Sequence, residues 1–242
     1  MQFKDDFRRR SEEEYIKDSG LIIDYDEIAR KGKMSKEEAF VSKWYGVYQS
    51  RQPGTHMARV VIPGGKFSAY QGRIMADVAR KYSHSLLSVT TRQAVQFHFL
   101  QIEALPDFMR DLNQGTLSCY HGCGDVTRIV TACPLAETCP YARTNVLPHA
   151  QETAKFLTEA SDLDNLPRKF KINFSGCPAN CAQAYMNCIG IIAVRKLKED
   201  GSGKGENGFQ VVIGGGMGWK AFVAQELFSF VPEDRIKYVN RA

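Results

Sequence analysis

No stretch of this chain comes near the roughly 18 consecutive apolar residues that a membrane-spanning helix needs. Its opening, Met1-Gln2-Phe3-Lys4-Asp5-Asp6-Phe7-Arg8-Arg9-Arg10, lacks the apolar core of a secretory signal. No membrane span is expected, and the expected location is the cytoplasm. There is no internal repeat and no sustained basic run: Arg8-Arg9-Arg10 is balanced at once by Ser11-Glu12-Glu13-Glu14, which reads as a solvated helix start with Ser11 as N-cap. Charge is nearly balanced too, 32 Lys and Arg against 27 Asp and Glu for a net +5, a bias that suits a small anionic ligand without calling for nucleic acid. The seven cysteines are an odd number, which argues against a full disulfide framework and for metal ligation or free thiols in a reducing compartment. What is present is enough apolar matter, 43% hydrophobic and 11% aromatic over 242 residues, for a sizeable core in one or two domains.

The hydrophobic pattern divides the chain in three. Residues 1–50 read as a helical arm, with short helices at 12–17, 25–30 and 36–48, the last opened by Ser35 and Glu38 at capping-box spacing. Residues 51–116 read as strand 57–62, closed by Pro63-Gly64-Gly65, helix 67–82, strands 86–89 and 95–100, and a helix from Pro106 to near Gly115. That β-α-β-β-α order is most of a ferredoxin-like unit with one strand still to be supplied. Residues 117–242 begin with an aperiodic stretch rich in Cys, Gly, Pro and Thr, as expected where a bound centre sets the shape. A helix at 148–160, strands at 169–174, 189–197 and 209–213, a mobile-looking link at 199–207 and a helix starting at Pro232 follow. The class is α+β.

Four cysteines form two short clusters, Cys133-x5-Cys139 and Cys177-x3-Cys181, and four convergent thiolates can hold an iron-sulfur cluster. In Gly176-Cys177-Pro178-Ala179-Asn180-Cys181, Pro178 suits the first position of a helix, which would put both sulfurs on one face at its positive end, where thiolate is favoured. Ordinary buried thiols and structural zinc are the competing readings. Zinc usually takes two to four residues between paired cysteines, so the five between Cys133 and Cys139 are awkward. Cys119 and Cys123, with His121 between them, form a rival pair, and Cys188 reads as core. Lys169 and Lys171, two apart on a strand, would share a face. Gly214-Gly215-Gly216-Met217-Gly218 leaves too little chain for a dinucleotide unit and reads as a tight turn that lets backbone approach a neighbour.

An ordered set of segments resembles the siroheme-dependent nitrite and sulfite reductases: Lys43-Trp44-Tyr45-Gly46-Val47-Tyr48, 59–65, Thr90-Thr91-Arg92-Gln93, Gly124-Asp125-Val126-Thr127-Arg128, the cysteine pairs, Leu166-Pro167-Arg168-Lys169-Phe170-Lys171 and 214–218. The resemblance implies a ferredoxin-like half domain followed by a 4Fe-4S and siroheme domain. It implies Cys133, Cys139, Cys177 and Cys181 as cluster ligands, with Cys181 bridging to siroheme. It implies Arg92, Arg128, Lys169 and Lys171 as the cations that orient the anion and deliver protons, and Arg59, Thr91, Gln93, Arg168 and Asn180 as further cofactor contacts, with Arg143 another candidate. The implied reaction is six-electron reduction of sulfite to sulfide, or of nitrite to ammonia; retention of Lys171 favours sulfite. The implied partners are an electron donor such as ferredoxin or a flavoprotein and, because family members are usually duplicated, a second half-subunit or another copy, unless the chain is a piece cut before its second half. Two readings from other classes remain: a non-catalytic iron-sulfur electron carrier and a zinc-binding interaction module.

Overall fold

The structure, a computed structural model, describes residues 10–197 and 205–239. The charged opening, much of the link expected at 199–207 and the end of the last helix lie outside the described residues.

Three short helices open the chain, α1 (Glu12–Asp18), α2 (Tyr25–Lys31) and α3 (Lys36–Val41). Side chains fix where they start. Ser11 and Glu14 form a reciprocal capping box on α1, Asp24 accepts from Glu27 N–H on α2, and Ser35 and Glu38 repeat the box on α3. The helix expected over 36–48 stops at Val41 because the chain must turn at Gly46, whose φ is +74° and where a Cβ would stand 2.3 Å from the Cys119 carbonyl oxygen. The remainder becomes β1 (Val47–Gln49), antiparallel to β2 (His56–Val60).

After β2 come α4 (Ala69–Tyr82), β3 (Leu87–Val89), β4 (Val95–Leu100) and α5 (Leu105–Asn113). The antiparallel sheet runs β1-β2-β4-β3, so the strand missing from the ferredoxin-like unit is β1, supplied from the N-terminal side. Alternation along β2 and β4 sends Ala58, Val60, Val95 and Phe97 into a core with Met75 and Val78 of α4 and Phe108 and Leu112 of α5, and a register shift at Phe99, whose φ is +62°, brings Leu100 into it too. Burying a ring such as Phe97, edge-on to Phe108 at 5.3 Å, contributes about 1.5–3 kcal/mol. Ile28 and Val41 of the opening helices lie in this same core. The opposite face of the sheet is polar, and there Arg59 and Ser88 flank Gln96 in register.

His56, at the start of β2, is buried and its Nδ1 has no partner. Burial holds its pKa below the usual 6.5, only partly opposed by the Leu100 backbone and Glu103. Below 6.5 the unfolded chain therefore takes up a proton that the folded one resists, and stability should fall as pH drops through that value. Urea titrations at pH 7.5 and 5.5 should show this loss, and His56→Gln should shrink it.

The second part contains β5 (Thr131–Ala132), α6 (Leu147–Thr158), β6 (Ile172–Ser175), β7 (Ile189–Lys196), β8 (Glu206–Ile213), a small hairpin of β9 (Gly216–Met217) and β10 (Ala221–Phe222), β11 (Gln225–Pro232) and α7 (Ile236–Val239). Its five-stranded sheet runs β11-β8-β7-β6-β5, with β5, β6 and β7 parallel and the rest antiparallel. All four residues of β6 are buried, as suits a strand covered on both faces. Phe174 sits at its centre, edge-on to Phe209 at 6.1 Å, with α6 packed above through Ala150 and Leu157. At the glycine-rich 214–218 segment, a Cβ on Gly215 would stand 2.4 Å from the Tyr185 carbonyl oxygen, so backbone does run against backbone there.

Two local expectations are corrected. β6 begins at Ile172; before it Phe170 makes a single parallel bridge to Thr127, so Lys169 and Lys171 stand on the approach to the strand and not within it. No helix starts at Pro178 either. Asn180 takes a left-handed φ of +55° and its side-chain oxygen accepts from Ala184 N–H at 2.7 Å, so the cysteine segment is a turn capped by asparagine and the helix-face argument for Cys177 and Cys181 fails.

Candidate iron-sulfur and anion site

Both cysteine clusters leave the C-terminal ends of adjacent parallel strands, β5 and β6, the place where open sheets present binding loops. Cys133 follows β5 directly, and its N–H donates to the Phe174 carbonyl at 2.8 Å. Further along, the Arg143 N–H donates to the Gly176 carbonyl at 2.7 Å, pinning the first loop to the start of the second. Within the loops, Cys139 N–H donates to Leu135 O at 2.9 Å and Asn180 N–H to Cys177 O at 3.1 Å. Cys133 is buried, Cys139 and Cys177 are half-buried and Cys181 is exposed, all four as free thiols. Among the described residues, no three His, Cys, Asp or Glu side chains are gathered as a single-ion site. One zinc ion asks for four ligands around one point at about 2.3 Å for sulfur, whereas a cluster spreads its thiolates over several iron atoms. The donor set, four soft thiols on two neighbouring loops, fits a cluster.

A cleft of about 490 Å³ beside the first cysteine loop is lined by Gln93, Cys133 and Glu137 among others, and two further clefts hold the cations. One, about 460 Å³, is lined by Thr91, Arg92, Lys171, Asn173, Cys181 and Asn187 among others. The other, about 390 Å³, is lined by Arg59, Thr91, Arg92, Gln96 and Arg128 among others. Thr91 and Arg92 belong to both, and neither lining contains a carboxylate.

The cations differ in what holds them. Arg92 crosses from the β3–β4 turn to the second part, donating to Asn187 Oδ1 at 2.7 Å and to the Ile129 and Ile172 carbonyls at 2.6 and 3.0 Å. Burial, reinforced by Arg128, lowers its pKa to about 10. Arg59 and Arg128 converge, donating to the same Gly122 carbonyl at 3.0 and 2.8 Å. With its amide turned to face Arg59, Gln96 also accepts from Nε at 3.1 Å. The Nε groups of Arg92 and Arg128 are buried without partners. Lys169 has its pKa lowered first by partial burial, then by Lys171, Arg128 and Arg168, with Asp125 opposing. These orphaned donors and mutually repelling cations, in clefts without acid, fit a polycarboxylate macrocycle and a small anion.

Other expected site residues have structural partners. Gln93 bonds the backbone of Ala132 through both ends of its amide, and the oxygen of Asn180 caps Ala184. Arg168 is 78% exposed, 3.8 Å from Asp125, and Arg143 is exposed. Cys119 and Cys123 are buried in the first part, where desolvation pushes both thiols up and so disfavours the thiolate a metal needs; Cys188 is half-buried just before β7. Gln96, Asn173 and Asn187 were not singled out from sequence. Gln96 could have been found from strand alternation opposite Arg59, and Asn173 as the polar residue inside an apolar strand.

Residues 123–242 match the family described as the nitrite and sulphite reductase 4Fe-4S domain, and residues 48–115 the nitrite/sulfite reductase ferredoxin-like half domain. The chain belongs to the nitrite and sulphite reductase family. Its 4Fe-4S domain is one whose description carries an iron-sulfur cluster. The chain is 32% identical over 209 residues to the assimilatory ferredoxin-dependent nitrite reductase of Haloferax mediterranei, covering 81% of this chain and 35% of that one. It is 28% identical over 248 residues to the sulfite reductase [NADPH] hemoprotein beta-component of Staphylococcus epidermidis, covering 85% of this chain and 42% of that one. The fold is similar to that of the Mycobacterium tuberculosis NirA protein, with a TM-score of 0.76 at 22% identity over 95% of this chain and 48% of that chain. The chain thus spans less than half the length of these relatives. Among the described residues no helix is long and apolar enough to cross a membrane.

Proposed function

We propose that this chain is one half of a siroheme- and 4Fe-4S-dependent reductase that converts sulfite to sulfide. The observation that carries this reading is a pair of carboxylate-free clefts that share Thr91 and Arg92, one lined by Arg59 and Arg128 and the other by Lys171 and Cys181. In it, 51–116 contributes the arginines of the β2 and β4 side, and 117–242 contributes the cluster loops. Cys133, Cys139, Cys177 and Cys181 would hold the cluster, and Cys181, exposed in the cleft, would present it to siroheme. Arg59, Thr91 and Arg92 face the macrocycle's carboxylates, with Arg168 at the periphery. Siroheme, when bound, supplies an iron with an open position and a macrocycle that passes electrons to the anion.

The chain's own residues bind, orient and protonate. Reducing sulfite to hydrogen sulfide takes six electrons and eight protons and releases three waters, so positive charge and proton donors are both needed. Arg128, beside Arg59 over Gly122, offers its remaining N–H groups to the anion's oxygens, the unpartnered Nε among them, while Arg59, held by Gly122 and Gln96, adds fixed charge. Arg92 has three donors taken by protein oxygens and acts more as a fixed charge than as an anion ligand. Lys169, its pKa lowered, gives up a proton from Nζ more readily than a free lysine, and Lys171 adds charge from the other side. Nitrite reduction to ammonia is the second reading, favoured by the relative at 32% identity. A ferredoxin- or flavoprotein-type electron donor, a second half-subunit of this or another chain, and a cytoplasmic setting complete the proposal.

A visible absorption spectrum with iron and zinc analysis of anaerobically purified protein tests it. Iron, labile sulfide and a long-wavelength macrocycle band are expected. A cluster without that band would make the chain an electron carrier, and a colourless zinc protein would overturn the reading. Cys133→Ser should strip most of the iron.

A further inference from the structure

We infer that Gln93 is a positioning residue for Cys133, clamping the first cysteine loop to the ferredoxin-like half. The inference rests on the reading that Cys133 is a cluster ligand.

The geometry is specific. Gln93 Nε2 donates to the Ala132 carbonyl at 2.7 Å, and its Oε1 accepts from the Ala132 N–H at 2.9 Å. Both bonds of the side-chain amide go to one residue, so Gln93 acts as a one-residue strand on the free edge of β5, whose other edge pairs with β6. The next residue is Cys133, held on the β6 side by the Phe174 carbonyl. The cysteine is thus reached through a backbone fixed from both directions.

The side chain itself is prearranged. Gln93 takes a left-handed φ of +54°, uncommon for a residue with a Cβ, within a turn closed by Gln93 N–H to Thr90 O at 3.0 Å and Thr90 N–H to Ala94 O at 2.9 Å. Gly65, with φ of +75°, lies against it so closely that a Cβ there would be 2.9–3.0 Å from three carbons of the Gln93 side chain. Its neighbour Gly64 donates to the Val130 carbonyl at 3.0 Å, a second tie from the same loop to the strand that leads to Cys133. Gln93 lines both the cleft beside Cys133 and the cleft beside Cys181. With donor and acceptor both engaged by Ala132, Gln93 serves the cluster loop before it serves any macrocycle. Groups that orient a ligand typically matter about 10- to 100-fold in metal affinity.

The test uses the purified holoprotein and reads three things: the rate of iron loss to a chelator, macrocycle occupancy from the visible spectrum, and alkylation of Cys133 mapped by peptide mass. Gln93→Leu, which removes both bonds, and Gln93→Glu, which sets a carboxylate oxygen against the Ala132 carbonyl, should each speed iron loss roughly 10-fold or more and raise Cys133 labelling. Gly65→Ala should reproduce both effects by displacing Gln93. Ile28→Ala, a core change in the same half, should not speed iron loss even if it lowers the melting temperature comparably. Loss of macrocycle with unaltered iron release would make Gln93 a cofactor contact and overturn the inference. So would wild-type iron release and wild-type Cys133 labelling in the Gln93 variants. If Cys133→Ser keeps its full iron, the ligand reading itself falls, whatever the Gln93 variants do.

Discussion

Arg128→Ala is expected to lower turnover about 100- to 1,000-fold, the range found when one fixed donor is removed from a developing charge, with the visible spectrum and iron content unchanged. Arg128 is the cation most committed to the anion cleft: its backbone N–H donates to Phe170 O at 2.8 Å, its side chain shares Gly122 O with Arg59, and no carboxylate lines the cavity it faces. Arg128→Lys should recover only part of the rate, because a point charge replaces a planar fork. Steady-state assays with a reduced dye and sulfite or nitrite would separate a fall in kcat from a rise in KM. A wild-type rate would remove Arg128 from the mechanism. Burial and the neighbouring Arg59 disfavour its charged form, but its side chain also donates to the Gly122 and Gly124 carbonyls, so a urea midpoint measured beside the rate separates a lost anion ligand from a loosened fold. A site that keeps mutually repelling cations trades folding stability for function.

Phe174→Ala should cost about 3–5 kcal/mol, the usual range for emptying a large buried aromatic site. Phe174 is fully buried, meets Phe209 edge-on, and its carbonyl accepts the Cys133 N–H from the neighbouring strand. The cavity therefore opens directly beneath the point where the two cysteine loops meet, and iron retention should fall along with the urea midpoint. Phe174→Leu, which keeps most of the volume, should lose less than about 1.5 kcal/mol and retain its iron. A Phe174→Ala protein with a wild-type urea midpoint would contradict the packing described for β6.

Sequence was most informative where structure is decided locally. Strand 95–100 has its expected bounds, a β-rich run set off by the Thr90-Thr91-Arg92-Gln93 turn, whereas the left-handed Phe99 that brings Leu100 into the core leaves no local mark. Ser11 and Ser35 announced their helices through capping chemistry contained within four residues. The ferredoxin-like order was legible for the same reason, and the cysteine spacing pointed to the 4Fe-4S family. What escaped was decided at a distance. Helix 36–48 looked continuous because nothing near Gly46 reveals that the Cys119 carbonyl will press against it. The Cys177–Cys181 segment reads as a proline-started helix, and only the folded chain shows Asn180 turning left-handed to cap Ala184. Arg59 and Arg92 were both visible as candidates, yet their relation was not. One sits beside Arg128 and the other is held by Asn187 and two carbonyls on the far side of the turn.

The parallel pairing of β5 with β6 bears on how such a protein matures. Parallel neighbours cannot be joined by a tight hairpin, and here the connection passes through the whole of α6. During synthesis the first cysteine loop emerges well before the second, so its thiols wait, half-assembled and open to oxidation, until the later strand docks. Closing that long connection is an entropically slow step. If the four cysteines are the ligands proposed, the cluster can be completed only once this region has left the ribosome, and oxygen exposure in that interval is the hazard the topology imposes.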